Sequence, residues 1–192
     1  KKDDTNTQVN EEKKNYPIKG IVNLSIDQLT YRDYTMKPFI IEIIVDNSRS
    51  AIKILNAALC DISIPGSIGL NADELVLNLK PKSTDGDLLK TMECLKQTEV
   101  RMDGKFDLKS HLEAQGTPEQ IIDYFNGQID IKAENGRIYE DNLLTSILAL
   151  INVTEVFAGQ YPDLGKEGFA YNNINLKGVI NEGNLTLDQC VM

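Results

Sequence analysis

Polar and apolar positions alternate along much of this chain, and the dominant period is two. Across residues 18–29, Val22, Leu24 and Ile26 alternate with Asn23, Ser25 and Asp27, the pattern of a strand with one buried and one wet face. Residues 39–45 are a dense Ile/Val run, which predicts a strand more buried on both faces. A polar cluster at 46–50 predicts a turn, and a third apolar strand follows over 51–59. Residues 62–70 contain Pro65 and two glycines and read as an irregular or edge strand. Leu75, Leu77 and Leu79 then alternate with Val76, Asn78 and Lys80 in a strand that Pro81 closes.

Helical spacing appears three times. Ser83, Thr84 and Asp85 offer a cap for a short helix carrying Leu88, Leu89, Met92 and Leu95. Thr117 predicts a second N-cap, with Pro118 at the first helical position, Gln120 completing a capping box and Gly127 as the stop. Between these lies the cleanest strand. Phe106, Leu108, Ser110, Leu112 and Ala114 share one face, and Lys105, Asp107, Lys109, His111 and Glu113 share the other. Residues 128–134 alternate again, with Ile129, Ile131 and Ala133 on one face. The third helix, about 143–158, gathers Leu143, Leu144, Ile147, Leu148, Leu150, Ile151 and Phe157 in half of its wheel. Strands return over 168–180, which includes Ile174, Leu176 and Ile180, and over 185–192 after a turn. The predicted class is mainly β with a few short helices (α+β), about nine strands without βαβ alternation, hence a mostly antiparallel sheet.

Composition narrows the function. The 192 residues suffice for one sizeable domain, expected over 16–192, while the polar, mixed-charge residues 1–15 read as a disordered linker or chain end. Twenty Lys+Arg against 29 Asp+Glu, net −9, argue against nucleic acid and anionic membrane surfaces as partners. The longest apolar stretch, 143–157, is too short and too polar to span a bilayer, so no transmembrane segment is expected. The opening Lys1-Lys2-Asp3-Asp4 is not a signal peptide and reads as an internal boundary of a longer protein. Three cysteines without a Cys-x-x-Cys pair, and His111 as the single histidine, give zinc sites and histidine-dependent triads little material. Gly66-Ser67-Ile68-Gly69 lacks the later residues of a phosphate loop. The expectation is a protein without catalytic, metal or cofactor sites.

Three stretches in the second half resemble the C-terminal region of the AsmA-like family of bacterial envelope proteins. Gly104-Lys105-Phe106-Asp107-Leu108 is similar to the family's G-x-F-x-L strand opening. Phe125, Gly127, Ala133, Gly136 and Ile138 follow its L-x-G-x(5)-A-x-x-G-x-I segment. Residues 143–157 look like its Leu-rich helix ending in Asn-Val-Thr-Glu, followed by Pro162-Asp163-Leu164 and Gly168-Phe169-Ala170-Tyr171. The resemblance covers about 100–192 well and 16–99 more loosely, and the family normally carries further strands beyond this point.

This resemblance implies a curved, twisted antiparallel sheet forming an apolar groove partly covered by helices. It also implies a parent anchored in the inner membrane, projecting into the periplasm and conveying phospholipid for outer-membrane biogenesis. Candidates for lining the groove are Val22, Leu24, Ile26, Phe106, Leu108, Leu112, Ile129, Ile131, Ile174, Leu176 and Ile180. The competing reading is a packed core under the helices, which such alternation usually means. In that case the segment serves as a structural or assembly module acting through contacts with other envelope proteins. Packing against the sheet is the role expected of the third helix, whose polar face has no Lys or Arg for a membrane surface. An oxidising compartment would favour a Cys60–Cys94 disulfide over two buried thiols, leaving Cys190 free. His111, on a polar strand face, is expected to be solvated.

Overall fold

The computed structural model describes residues 19–46, 49–71, 74–97, 101–118, 120–139 and 168–192. Eight strands come first: β1 (Gly20–Ile26), β2 (Leu29–Tyr31), β3 (Tyr34–Asp46), β4 (Arg49–Leu59), β5 (Ile62–Ser63), β6 (Gly66–Asn71), β7 (Glu74–Leu79) and β8 (Lys82–Asp87). Helix α1 (Leu88–Cys94) follows, then β9 (Lys105–Gly116), a 3-10 turn (Ile121–Tyr124), β10 (Asn126–Ile138), β11 (Phe169–Asn181) and β12 (Asn184–Val191). All twelve strands belong to one sheet with antiparallel pairing.

The sheet is a meander whose longer strands are interrupted near prolines. β1 and β2 both pair with β3, and the gap between them lies beside Pro38, where the β3–β4 register also shifts. β5 and β6 both pair with β4 and are separated at Pro65, while β7 and β8 both pair with β9 and are separated at Pro81. A second register shift in β4, where Ile40 pairs with Asn56 but Ile41 with Ile54, continues the line. Proline has no N–H for the ladder, so each one opens a gap. Their carbonyls still bond: Lys80 N donates to Pro65 O at 2.8 Å and Ser110 N to Pro81 O at 2.9 Å. The result is a line of breaks in the ladder across the first five long strands of a continuous sheet.

Several local expectations need correction. Residues 62–70 lie inside the sheet rather than at its edge, with Pro65 dividing them. Pro81 interrupts a strand that resumes as β8. Ser83, Thr84 and Asp85 therefore cap no helix: Ser83 pairs with Leu108 and donates its hydroxyl to Asp61 O. The cap of α1 is Asp87, whose carboxylate accepts from Lys90 N at 3.1 Å. The second helix is only the four-residue 3-10 turn. Gly127 is part of β10, where a Cβ would collide with the His111 backbone, so close strand approach accounts for the glycine. The expected third helix lies outside the described residues.

The main core sits between β8 and β11. Phe106, Leu108, Ala133, Ile138, Tyr171 and Ile174 form its buried cluster, with Ile62, Leu88 and Met102 packed against it. Register explains the fit: Gly86, Phe106, Ala133 and Ile174 stand in one cross-strand row, small beside large. A side chain at Gly86 would run into the Phe106 ring.

Candidate functional site

Paired residues in an antiparallel ladder project to the same side, so the register assigns each face. Val22, Leu24 and Ile26 pair with Ile43, Ile41 and Phe39, and that row continues through Ile52, Ile54, Ile68, Leu75, Leu77 and Leu79 to Ala114 and Leu112. From β9, Leu108 leads to Ile131 and Leu176, Ser110 to Ile129 and Gly178, and Phe106 to Ala133 and Ile174. Leu112 faces Gly127, which faces Ile180. All eleven groove candidates therefore share one face of one sheet. The intervening strands add aliphatic residues that the sequence pattern did not single out.

Accessibility divides this face. Phe106, Leu108 and Ile174 are core residues, with Ile174 only 1% exposed, and a ligand resting on the surface would not touch them. Leu112, Ile129, Ile131, Leu176 and Ile180 are half-buried. Val22, at 55%, Leu24 and Leu70, at 43%, are exposed. The exposed apolar residues of this face thus lie toward its two ends, Val22, Leu24 and Leu70 at one and Leu185 and Leu187, which pair with Ile180 and Gly178, at the other.

The opposite face is polar and ladders its charges. Asp107 stands across from Lys132, and Asp130 stands between Lys109 and Lys177, with Lys177 Nζ 3.4 Å from its carboxylate. Lys132 is ion-paired with Glu134, whose hydrogen bond raises the lysine pKa above its ordinary value. His111 is exposed here, its Nε2 3.2 Å from Glu113 Oε1. An open depression of about 500 Å³ is lined by Lys109, His111, Gln128, Asp130, Lys177 and Asp188. A neighbouring one of about 430 Å³ shares Lys109, Asp130 and Lys177 with it. The charged residues lining these hollows are on the face away from the groove candidates, of which Ile129 alone borders the first hollow. Their lysines and carboxylates sit close enough to offset one another, which does not select for an ion of one sign.

Two further features lie outside the apolar row, the first without a signature in the sequence and the second the disulfide expected from it. Asp103 ties three segments together: its Oδ1 accepts from Arg137 N at 2.6 Å, its Oδ2 from the Tyr139 hydroxyl at 2.8 Å, and its carbonyl from the Tyr171 hydroxyl at 2.6 Å. The Asp103 bond holds the Tyr139 phenol above its ordinary pKa; burial, with Asp103 second, pushes Tyr171 up to about 12. Gly136 is required at this junction because a Cβ would strike Asp103 O and the Tyr171 hydroxyl. The second feature is the Cys60–Cys94 disulfide, with Cα atoms 5.6 Å apart, beside the bond from Thr91 Oγ1 to Cys60 O at 3.1 Å. It fastens α1 to the β4–β5 turn. Cys190 is a free thiol whose pKa burial raises.

Among the described residues, no group of three or more His, Cys, Asp or Glu is arranged to hold a metal ion. No described helix is long and apolar enough to cross a membrane. Comparison with known proteins gives no match, whether by family model, by curated protein or by solved structure.

Proposed function

We propose that this chain is a non-enzymatic, lipid-binding segment of an AsmA-like envelope protein, anchored through its parent in the inner membrane. Its apolar face would hold phospholipid acyl chains on the periplasmic side during outer-membrane biogenesis. The observation carrying this reading is the single apolar face continued over the strands from β1 to β11, part of it accessible. Such a surface suits chain-like ligands, since each buried CH₂ contributes about 0.8 kcal/mol without a directional partner. The disulfide supports an oxidising compartment.

A second reading, an assembly module of the envelope, is favoured by the apolar residues exposed on the two edge strands, Ile21 and Val22 on β1 and Leu185 on β12. One experiment separates the two. Native mass spectrometry of the detergent-free chain, with lipid extraction, should find phospholipid near one per chain, and a photo-crosslinker at Leu70 should label it while one at Gln128 should not. Protein that stays bare after incubation with liposomes would rule out the lipid reading for this segment and leave the assembly reading.

A further inference from the structure

Sheet edges in natural proteins are usually guarded by a charge, a proline or a bulge, because a bare edge accepts another strand. β12 has such a guard: Asp188 lies within it, and its register with β11 shifts at Lys177/Gly178. Among the described residues β1 is the outer strand at the other end, and its seven residues, Gly-Ile-Val-Asn-Leu-Ser-Ile, include no charge and no proline. Its apolar side is Val22, Leu24 and Ile26, and Ile21 adds one apolar residue to the other side, which otherwise holds Asn23 and Ser25. Val22 stands beside Ile43 on one face, and Ile21, 62% exposed, stands beside Ile44 on the other.

We propose that β1 pairs antiparallel with β1 of a second copy of this chain, about a two-fold axis through Asn23, joining two sheets into one. The strand is complementary to itself in that register. Val22 falls opposite Leu24 of the second copy and Ile21 opposite Ser25, so the apolar face runs unbroken from one copy to the other. At each end Lys19 falls opposite Asp27 of the second copy, an opposite-charge pair formed twice by symmetry. Lys19 already lies 2.9 Å from Asp46 and would sit between two carboxylates. Neighbouring registers lose this match: centred on Val22, Lys19 meets Ser25, and centred on Leu24, Ile21 meets Asp27. The pairing stands independently of the lipid reading.

Sedimentation velocity over a concentration series should show a monomer–dimer equilibrium. Lys19→Asp should weaken the dimer about tenfold, and adding Asp27→Lys should restore it, because exposed pairs are individually weak but here occur twice. In a Cys190→Ser background, Asn23→Cys should give a covalent dimer on mild oxidation and Ile21→Cys alone should not, since directly opposed residues bring Cα atoms within disulfide reach. Lys19, Ile21, Asn23 and Asp27 are exposed, so changes there keep the sheet, and serine at the half-buried Cys190 is nearly isosteric. A monomer at all concentrations, a dimer indifferent to the charge swap, or oligomers that grow beyond two through the β12 edge would each overturn the proposal.

Discussion

Strands β9 to β11 and strands β1 to β4 present comparable rows of aliphatic side chains on the same sheet face, yet the two regions are finished differently. At the β9–β11 end, Leu88 of α1, Met102 and Ile62 pack on the cluster, and Ile138 and Ile174 are almost wholly buried. At the β1–β4 end only Ile41 and Ala57 are buried among the described residues, while Val22 and Leu24 of this face are exposed. The same alternation thus makes a core where other elements pack on it and an accessible apolar surface where they do not. Alternation alone states that a face is apolar; the covering elements decide what the face does.

This contrast can be broken most directly by truncating side chains. Ile174→Ala should cost about 2–5 kcal/mol in urea unfolding, since the residue is enclosed, whereas Leu70→Ala should cost under about 1 kcal/mol. Equal losses would mean that both regions are sealed alike. Removing the fastening of α1 comes next. Replacing Cys60 and Cys94 with serine should lower stability by about 2–4 kcal/mol, in line with a 34-residue separation between the linked positions. Hydrogen exchange should quicken in α1 and β8 more than in β1. A uniform increase would show that the bond stabilises the whole sheet equally.

The smallest expected effect is electrostatic and concerns the junction at Asp103. Tyr171 titrates near 12 in the fold and near 10 when unfolded, so its protonated form is favoured by folding. Its contribution is fully present below about pH 10 and is lost as the pH rises towards 12. Tyr171→Phe should cost about 1 kcal/mol at neutral pH and reduce the alkaline loss. An alkaline stability profile unchanged by Tyr171→Phe would remove Tyr171 from the account.

Much of the sheet was legible because one wet face imposes period two. β9 and β10 show this well, with Lys105, Asp107 and Lys109 alternating against Phe106 and Leu108. The placement of all eleven candidates on one side followed from that parity. Their division into enclosed and accessible residues did not, because it depends on Leu88, Met102 and Ile62 arriving from other parts of the chain. β8 was hidden for a related reason. Lys-Ser-Thr-Asp-Gly-Asp has little strand propensity of its own, and its pairing with β9 and the space over Gly86 for Phe106 override that. The capping signal at Thr117 yielded only a 3-10 turn, since few residues separate β9 from β10 and Ile121 is already buried. In β3 and β4, Pro38 and the shifted registers break parity, so Ile43, Ile52 and Ile54 could not be assigned a face from the pattern. The Asp103 junction joins residues 34, 36 and 68 positions apart, a separation that leaves no local signature.

The meander has a kinetic consequence. Each long strand is bonded to those just before and after it in the chain, so the ladder can grow hairpin by hairpin, and each closure brings the next strand near its place. The β7–β9 and β10–β11 ladders reach further, pairing Leu75 with Gly116 and Gly127 with Ile180, and close more slowly than the hairpins. Two links outside the ladders also join distant segments, the Cys60–Cys94 bond and the contact between Asp103 and Tyr171. Both are expected late in folding, as locks on a sheet already assembled in chain order.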